Sequence, residues 1–118
     1  LLNLALSGAR AQQVMLVLDR AHFDHMTGAD RALQLEVLGL FRMQVEGWSR
    51  AFAGGEAWRD TVHTIKGSAR GIGLAALAAA CEAAEQASDA DALEGLARVR
   101  AALETALVAL DQFAAEAR

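Results

Sequence analysis

Residues 58–72 read WRDTVHTIKGSARGI, and this stretch decides how the chain folds. Its apolar residues recur at alternating steps of four and three, which is the period of one face of an α-helix; they are Trp58, Val62, Ile65, Ala69 and Ile72. An apolar stripe of this kind stabilises a helix only when other elements cover it. We therefore predict a helix over residues 56–72, with one side buried and the other facing solvent.

Three further stretches with a helical period accompany this one, and clusters of glycine and acidic residues separate them. The predicted helices span residues 30–52, 74–87 and 91 to near the C-terminus, where Asp91 is placed to cap the last helix. Their expected buried positions are Leu33, Val37, Phe41, Trp48 and Phe52; Leu74, Leu77, Ala78, Cys81 and Ala84; and Leu96, Val99, Leu103, Ala106, Leu110 and Phe113. Glu82 and Glu85 are expected to face water.

The linkers between these stretches are short, so sequential helices should run in opposite directions. The sequence therefore predicts an all-α, antiparallel four-helix bundle. A short additional helix is expected before it, with Asp19 as its N-cap and Met26 near its end. Residues 1–18 are expected to form a peripheral N-terminal segment.

The composition sets limits on size, partners and location. A chain of 118 residues suits a single domain over residues 1–118, and the absence of proline and tyrosine favours helices. The formal charge of -4 argues against nucleic-acid binding, which requires a basic surface. A single cysteine forms no internal disulfide, and no apolar stretch approaches the roughly 20 residues that span a bilayer. We expect a cytoplasmic protein without membrane insertion, whose partners are proteins.

The solvent side of the 56–72 helix carries the residues with chemical potential. Steps of three and four from His63 collect Glu56, Arg59, Asp60, Lys66, Gly67 and Arg70. A solvated imidazole is largely neutral at physiological pH, so one ring nitrogen has a lone pair that can attack phosphorus. Lys66, Arg59 and Arg70 would place positive charge near a phosphoryl group on His63.

Two residues on this side are unusual for their positions. Lys66 is the only lysine of the chain, all other basic residues being arginine. Gly67 costs a mid-helix position about 1 kcal/mol relative to alanine, which indicates that another surface must come close at this point.

The run His63, Thr64, Ile65, Lys66, Gly67, Ser68, followed by Gly73, resembles the signature of the histidine phosphotransfer (HPt) domain family. The resemblance extends more weakly upstream and downstream, to Asp19, Thr27 to Asp30, Glu36, Phe41, Cys81 and Glu85. It implies a four-helix bundle in which His63 accepts phosphate from a receiver-domain aspartyl phosphate and passes it to another receiver. In that family the matching lysine supports the phosphohistidine, the matching glycine clears space for the receiver and the next small residue sets the local environment. These are Lys66, Gly67 and Ser68 here.

The resemblance also implies partners and cofactors. The partners would be response-regulator receiver domains and a hybrid histidine kinase of a bacterial two-component phosphorelay. The protein would be a phosphocarrier without kinase activity, with no cofactor of its own, and Mg²⁺ would lie on the receiver. Arg70 departs from the small or polar residue of many members, which puts the choice of receiver in question.

Other interpretations remain open at this point. A helical adaptor or dimerisation domain would have the same fold with His63 never phosphorylated. The dimerisation segment of a histidine kinase also presents a histidine, but an acidic residue usually follows it, where this chain has Thr64. His22 and His25 lack the further carboxylates of a metal site, so we expect no metal. Cys81 is expected to be a buried apolar residue.

Overall fold

The computed structural model describes residues 16–54 and 57–117. In this part of the chain the helices are α1 (Arg20–Thr27), α2 (Arg31–Gly54), α3 (Trp58–Ile72), α4 (Ala75–Gln86) and α5 (Ala92–Ala117), with a 3-10 turn at Asp89–Asp91 before α5. The predicted helices are confirmed, with small shifts at their ends. The predicted start of α3 at Glu56 and most of the predicted peripheral segment 1–18 lie outside the described residues.

Helices α2 to α5 form the four-helix bundle that the sequence predicts. Each packs against the next along the chain, and α5 also contacts α2, which closes the bundle. Helix α5 passes close to α4 at Gly95, where an added Cβ would lie 3.3 Å from the Ala84 Cα. The largest fully buried apolar side chains come from α1 and from all four bundle helices: Phe23, Phe41, Ile65, Val62, Leu74, Leu77, Cys81, Val99 and Leu110.

The buried face of α2 differs from the predicted one. Leu33 was expected in the core but is 41% exposed, and Val37 is only partly buried. The core positions of α2 are instead Leu38, Phe41, Val45, Trp48 and Phe52. They have the same helical period as the predicted positions, but in the first half of the helix the buried face is rotated about the helix axis. The rotation turns Leu33 and Val37 towards the groove beside α1.

Helix α1 is attached to the bundle by polar contacts at two places. The Asp19 carboxylate accepts a hydrogen bond from the backbone N–H of His22 at 3.1 Å, which confirms the predicted N-cap. The backbone N–H of Asp19 in turn donates to the Gly73 carbonyl at 2.8 Å, at the corner between α3 and α4. On the other side, the buried Gln34 amide donates to Asp24 and Thr27 at 2.7 and 2.9 Å. Helix α1 therefore lies fixed beside the N-terminal part of α2 and the end of α3.

Candidate functional site

Helix α3 presents His63 to solvent because its other side fills the core. Val62, Ile65 and Ala69 are fully buried and Ile72 nearly so, whereas the His63 side chain is 71% exposed. Trp58, expected in the same stripe, is half-buried at the start of the helix. The expectation that His63 faces solvent is therefore confirmed.

The imidazole of His63 is oriented by a carboxylate from the neighbouring helix. Its Nδ1 lies 3.3 Å from Oε2 of Glu85 on α4. A carboxylate at neutral pH accepts hydrogen bonds and does not donate them, so this contact favours the tautomer with the proton on Nδ1. The lone pair is then on Nε2, at the opposite edge of a largely exposed ring. A nitrogen of this kind is a suitable nucleophile for phosphorus.

Lys66 lies differently from the prediction that placed it on the exposed side. The residue is only 9% exposed, and its Nζ is 2.9 Å from Oε2 of Glu82 and 2.8 Å from Oε1 of Glu85. The position three residues after His63 turns back towards the buried face, so the aliphatic stem of the lysine lies between α3 and α4 while its ammonium reaches the two carboxylates. Glu82 and Glu85, expected to face water, are thus ion-paired and only partly exposed.

The ion pairs change the acid–base properties of this cluster. The hydrogen bonds that Lys66 donates to Glu85 and then to Glu82 raise the pKa of Lys66, which stays charged. The hydrogen bond from Lys66, followed by the one from His63, holds the pKa of Glu85 below its usual value. One carboxylate therefore connects the only lysine with the exposed histidine, and it is negatively charged at neutral pH.

The two flanking arginines have separate roles. Arg70 is largely exposed and its Nη2 lies 3.6 Å from Oε2 of Glu82, so it joins the charged cluster. Arg59 instead donates hydrogen bonds to the backbone carbonyls of Glu85 and Ala87 at 2.8 and 2.9 Å. It also donates to the Asp89 carboxylate at 3.3 Å. These bonds satisfy carbonyls at the C-terminal end of α4. Arg59 thus fixes the turn of helix that carries Glu85, which is a different use from the phosphate contact predicted.

An open surface continues along α3 from His63. Gly67 and Gly71 follow at steps of four, and a Cβ added at either would meet no atom within 4 Å. Ser68 and Gly71 lie at the edge of a groove of about 320 Å³, whose apolar lining includes Met26, Leu33, Val37 and Leu40 from α1 and α2. Met26, Leu33 and Leu40 are exposed. We call this surface the α1–α2 groove.

The structure also shows the surroundings of the cysteine and of the groups considered as metal ligands. Cys81 is fully buried, as predicted, and desolvation raises the pKa of its thiol to about 12, so it is not a thiolate nucleophile. Within residues 16–54 and 57–117 there is no group of three or more His, Cys, Asp or Glu side chains able to hold a metal. Nor does this part of the chain contain a helix with the length and apolar character needed to cross a membrane.

Glu82 and Glu85 are site residues that the helical pattern did not predict, because it places both on the water-facing side of α4. The available signal was the pairing of charges: a lone lysine near the core face of α3 needs counter-ions, and Glu82 and Glu85 lie three residues apart on the next helix. Only the packing of α4 against α3 shows that they meet.

In this helical bundle the exposed His63 contacts a carboxylate that a buried lysine also contacts, which is an arrangement that suits a helical domain carrying phosphate on histidine. Comparison with known families agrees: the sequence model of the Hpt domain matches residues 24–113. The chain therefore belongs to the Hpt domain family, whose members take part in histidine phosphotransfer as phosphocarriers and not as kinases. No curated protein and no solved structure matches the chain.

Proposed function

We propose that this protein carries phosphoryl groups in a multistep phosphorelay, with His63 as the phosphorylated residue. His63 accepts the group from the aspartyl phosphate of one receiver domain and transfers it to the aspartate of another. The observation that carries the proposal is the exposed imidazole whose Nδ1 contacts Glu85 at 3.3 Å, because this contact leaves Nε2 as the nucleophilic atom.

The proposed transfer is a direct exchange between two side chains. Nε2 of His63 attacks phosphorus in line, the new N–P bond forms, and the P–O bond to the aspartate breaks. The electron pair of that bond returns to the aspartate carboxylate, while Nδ1 keeps its proton and Glu85 stabilises the positive charge that the ring acquires. Transfer to the next receiver is the reverse reaction. The Mg²⁺ that phosphoryl transfer needs would be bound by the receiver.

The neighbouring residues support this reaction in different ways. Lys66 holds the Glu85 carboxylate in place, because its Nζ lies 2.8 Å from Oε1 of Glu85. The same carboxylate contacts His63, so Lys66 is a buried cation linked to the histidine through one side chain. Gly67 leaves the approach to His63 open, and Ser68 borders the same surface without bulk. Arg59 fixes the end of α4, and Arg70 adds positive charge at the edge of the cluster.

The α1–α2 groove is the surface that we assign to the receiver domain. It begins at Ser68 and Gly71, five and eight residues beyond His63, and its exposed apolar residues suit the apolar face of a partner helix. A receiver docked there would contact the groove and His63 at the same time, since Gly67 and Gly71 present no side chain between them. A hybrid histidine kinase that carries such a receiver is the expected donor.

A phosphotransfer profile tests the proposal. The protein is mixed for short times with each phosphorylated receiver domain of the source organism, and acid-labile label on the histidine is measured. We expect rapid labelling by at least one receiver and none of His63→Gln. His25→Gln is the matched control, since His25 is an exposed histidine on α1, and it should be labelled like the wild type. Lack of label from every receiver would instead favour a helical adaptor.

A further inference from the structure

The cluster of ion-paired side chains beside His63 has as many positive as negative charges before any phosphate arrives. Lys66 and Arg70 supply two positive charges, and Glu82 and Glu85 supply two negative ones. Glu82 contributes most to this balance, because its Oε2 lies 2.9 Å from Nζ of Lys66 and 3.6 Å from Nη2 of Arg70. Its other oxygen, Oε1, accepts a hydrogen bond from the Gln86 amide at 2.8 Å. Glu82 is thus held in place and pairs with both cations.

Phosphorylation would disturb this balance. The transferred PO₃ group adds one net negative charge to a neutral imidazole, and its oxygens are strong acceptors for cations. Lys66 and His63 contact the same carboxylate, so the lysine ammonium is linked through one side chain to the ring that would carry the new charge. An ammonium that is already paired with two carboxylates has less to offer to a third anion.

We infer that the Glu82 carboxylate raises the phosphoryl-transfer potential of His63 by competing with the phosphoryl group for Lys66 and Arg70. The inference rests on the proposed function and makes Glu82 a positioning residue, which acts on the phosphoryl group through the two cations. With Glu82 present, phosphorylated His63 should pass its phosphate to an acceptor more completely than it would if Lys66 and Arg70 were not paired with Glu82.

The Glu82 charge is expected to change the equilibrium constant of the transfer and not the bonds that are made and broken in it. In the exchange an N–P bond forms at Nε2 and the P–O bond of the aspartyl phosphate breaks, with the electron pair returning to the aspartate. Glu82 takes part in neither bond and gives up no proton. A change that only weakened docking would slow the forward and the reverse transfer alike, whereas removal of the Glu82 charge should change their ratio.

The test measures the equilibrium constant between one receiver domain, chosen from the profile above, and the protein. In Glu82→Gln, which keeps the shape and an acceptor for Gln86, we expect a shift of about three- to fivefold towards phosphorylated His63, the size expected for a partly exposed ion pair. Glu82→Asp restores the charge and should return the ratio close to that of the wild type. Glu94→Gln is the matched control, since Glu94 pairs with Arg98 on α5 and its loss changes the net charge equally.

Two results would overturn the inference: an unchanged equilibrium constant in Glu82→Gln, or an equal shift in Glu94→Gln. Arg70→Gln provides a second, independent variant on an exposed residue, and it should shift the equilibrium away from His63 because one cation is removed. Circular dichroism checks that each variant folds. Failure of the wild type to accept label from any receiver would contradict the proposed function itself, whereas normal labelling with an unshifted Glu82→Gln would contradict this inference alone.

Discussion

At the scale of single residues, the Glu85 carboxylate links two groups of α3 that the sequence pattern places on one side, but of which the structure buries one and exposes the other. One oxygen contacts the buried ammonium of Lys66 and the other contacts the exposed imidazole of His63. Since Lys66 keeps the carboxylate charged, the hydrogen-bond acceptor for Nδ1 is present over the whole physiological pH range. The Nδ1–H tautomer of His63 is in this way favoured by a residue that Lys66 and Arg59 hold in place.

The lowered pKa of Glu85 predicts a dependence of stability on pH. A carboxyl group whose pKa is lower in the folded than in the unfolded chain stabilises the fold above its unfolded value, near 4.5, and this stabilisation is lost as the pH falls through the folded value. The free energy of unfolding should therefore differ most between the wild type and Glu85→Gln near neutral pH, and the difference should shrink in acid. Urea denaturation across the acidic range measures it. A difference that stays constant with pH would contradict the assignment.

A second prediction concerns the reaction. Glu85→Ala removes the acceptor for Nδ1, so both tautomers of His63 become available and the ring loses its fixed orientation. We expect the rate of phosphate acceptance to fall by about tenfold, the lower end of the loss found when a hydrogen-bond partner that orients a metal-ligating histidine is removed. Glu85→Gln should retain more activity than Glu85→Ala, because an amide oxygen still accepts from Nδ1–H. Equal rates for the two variants would argue against this role.

At the scale of elements, α3 contains glycines with opposite purposes. Gly67 is exposed in mid-helix and has no neighbour that a Cβ would meet, so nothing inside the protein requires glycine there. Gly73 ends the helix at φ 100°, where a Cβ would lie 3.0 Å from the Asp19 carbonyl oxygen and 3.1 Å from the His22 ring. Under the proposed function the first glycine serves a partner, whereas the second serves the fold.

Substitution at Gly67 should therefore separate stability from function. Gly67→Ala should raise the free energy of unfolding by about 1 kcal/mol through helix propensity. Gly67→Gln should also fold, but its side chain would stand between His63 and the receiver and reduce the transfer rate by about tenfold or more. The control is Gly39→Gln on α2, an exposed glycine with equally open surroundings. Transfer at the wild-type rate in Gly67→Gln would show that the approach does not pass over this residue.

Substitution of Gly73 should lower stability, in contrast to substitution of Gly67 by alanine. Gly73→Ala forces a Cβ into the corner where Asp19 and His22 pack, in a backbone conformation that alanine adopts only with strain. We expect a loss of about 1–3 kcal/mol in the free energy of unfolding, measured by urea denaturation. A variant as stable as the wild type would mean that α1 can move away from this corner at little cost.

At the scale of the whole molecule, the sequence was sufficient to predict where the helices lie along the chain, but not which side of each helix faces its neighbours. The stripe from Val62 to Ile72 has the period of a helix, so its burial followed directly from the pattern. Leu33 and Lys66 were misplaced for a related reason: each lies at the edge of a stripe, where the neighbouring helix decides whether a side chain is covered. The Lys66–Glu85 contact joins residues on different helices, and periodicity within one helix carries no information about it.

The α1–α2 groove supplies the last prediction. Leu40→Gln should weaken receiver docking because it places an amide in the exposed apolar lining. We expect the KM for the receiver to rise by about fivefold while kcat changes little, as for the loss of one apolar contact at an interface. Leu93→Gln is the control, since Leu93 is 83% exposed at the start of α5 and outside the groove. Equal KM values for Leu40→Gln and the wild type would place the receiver elsewhere.

The burial of Cys81 has a practical consequence. It is the only cysteine of the chain, it is fully enclosed between helices and its thiol resists ionisation, so reagents that attack thiolates should leave the folded protein unmodified. A cysteine introduced at an exposed position would then be the single reactive thiol. Fluorescent or spin labels could be attached beside the groove or beside Gly67 without altering the natural sequence elsewhere, and the distance to a docked receiver could be followed as phosphate is exchanged.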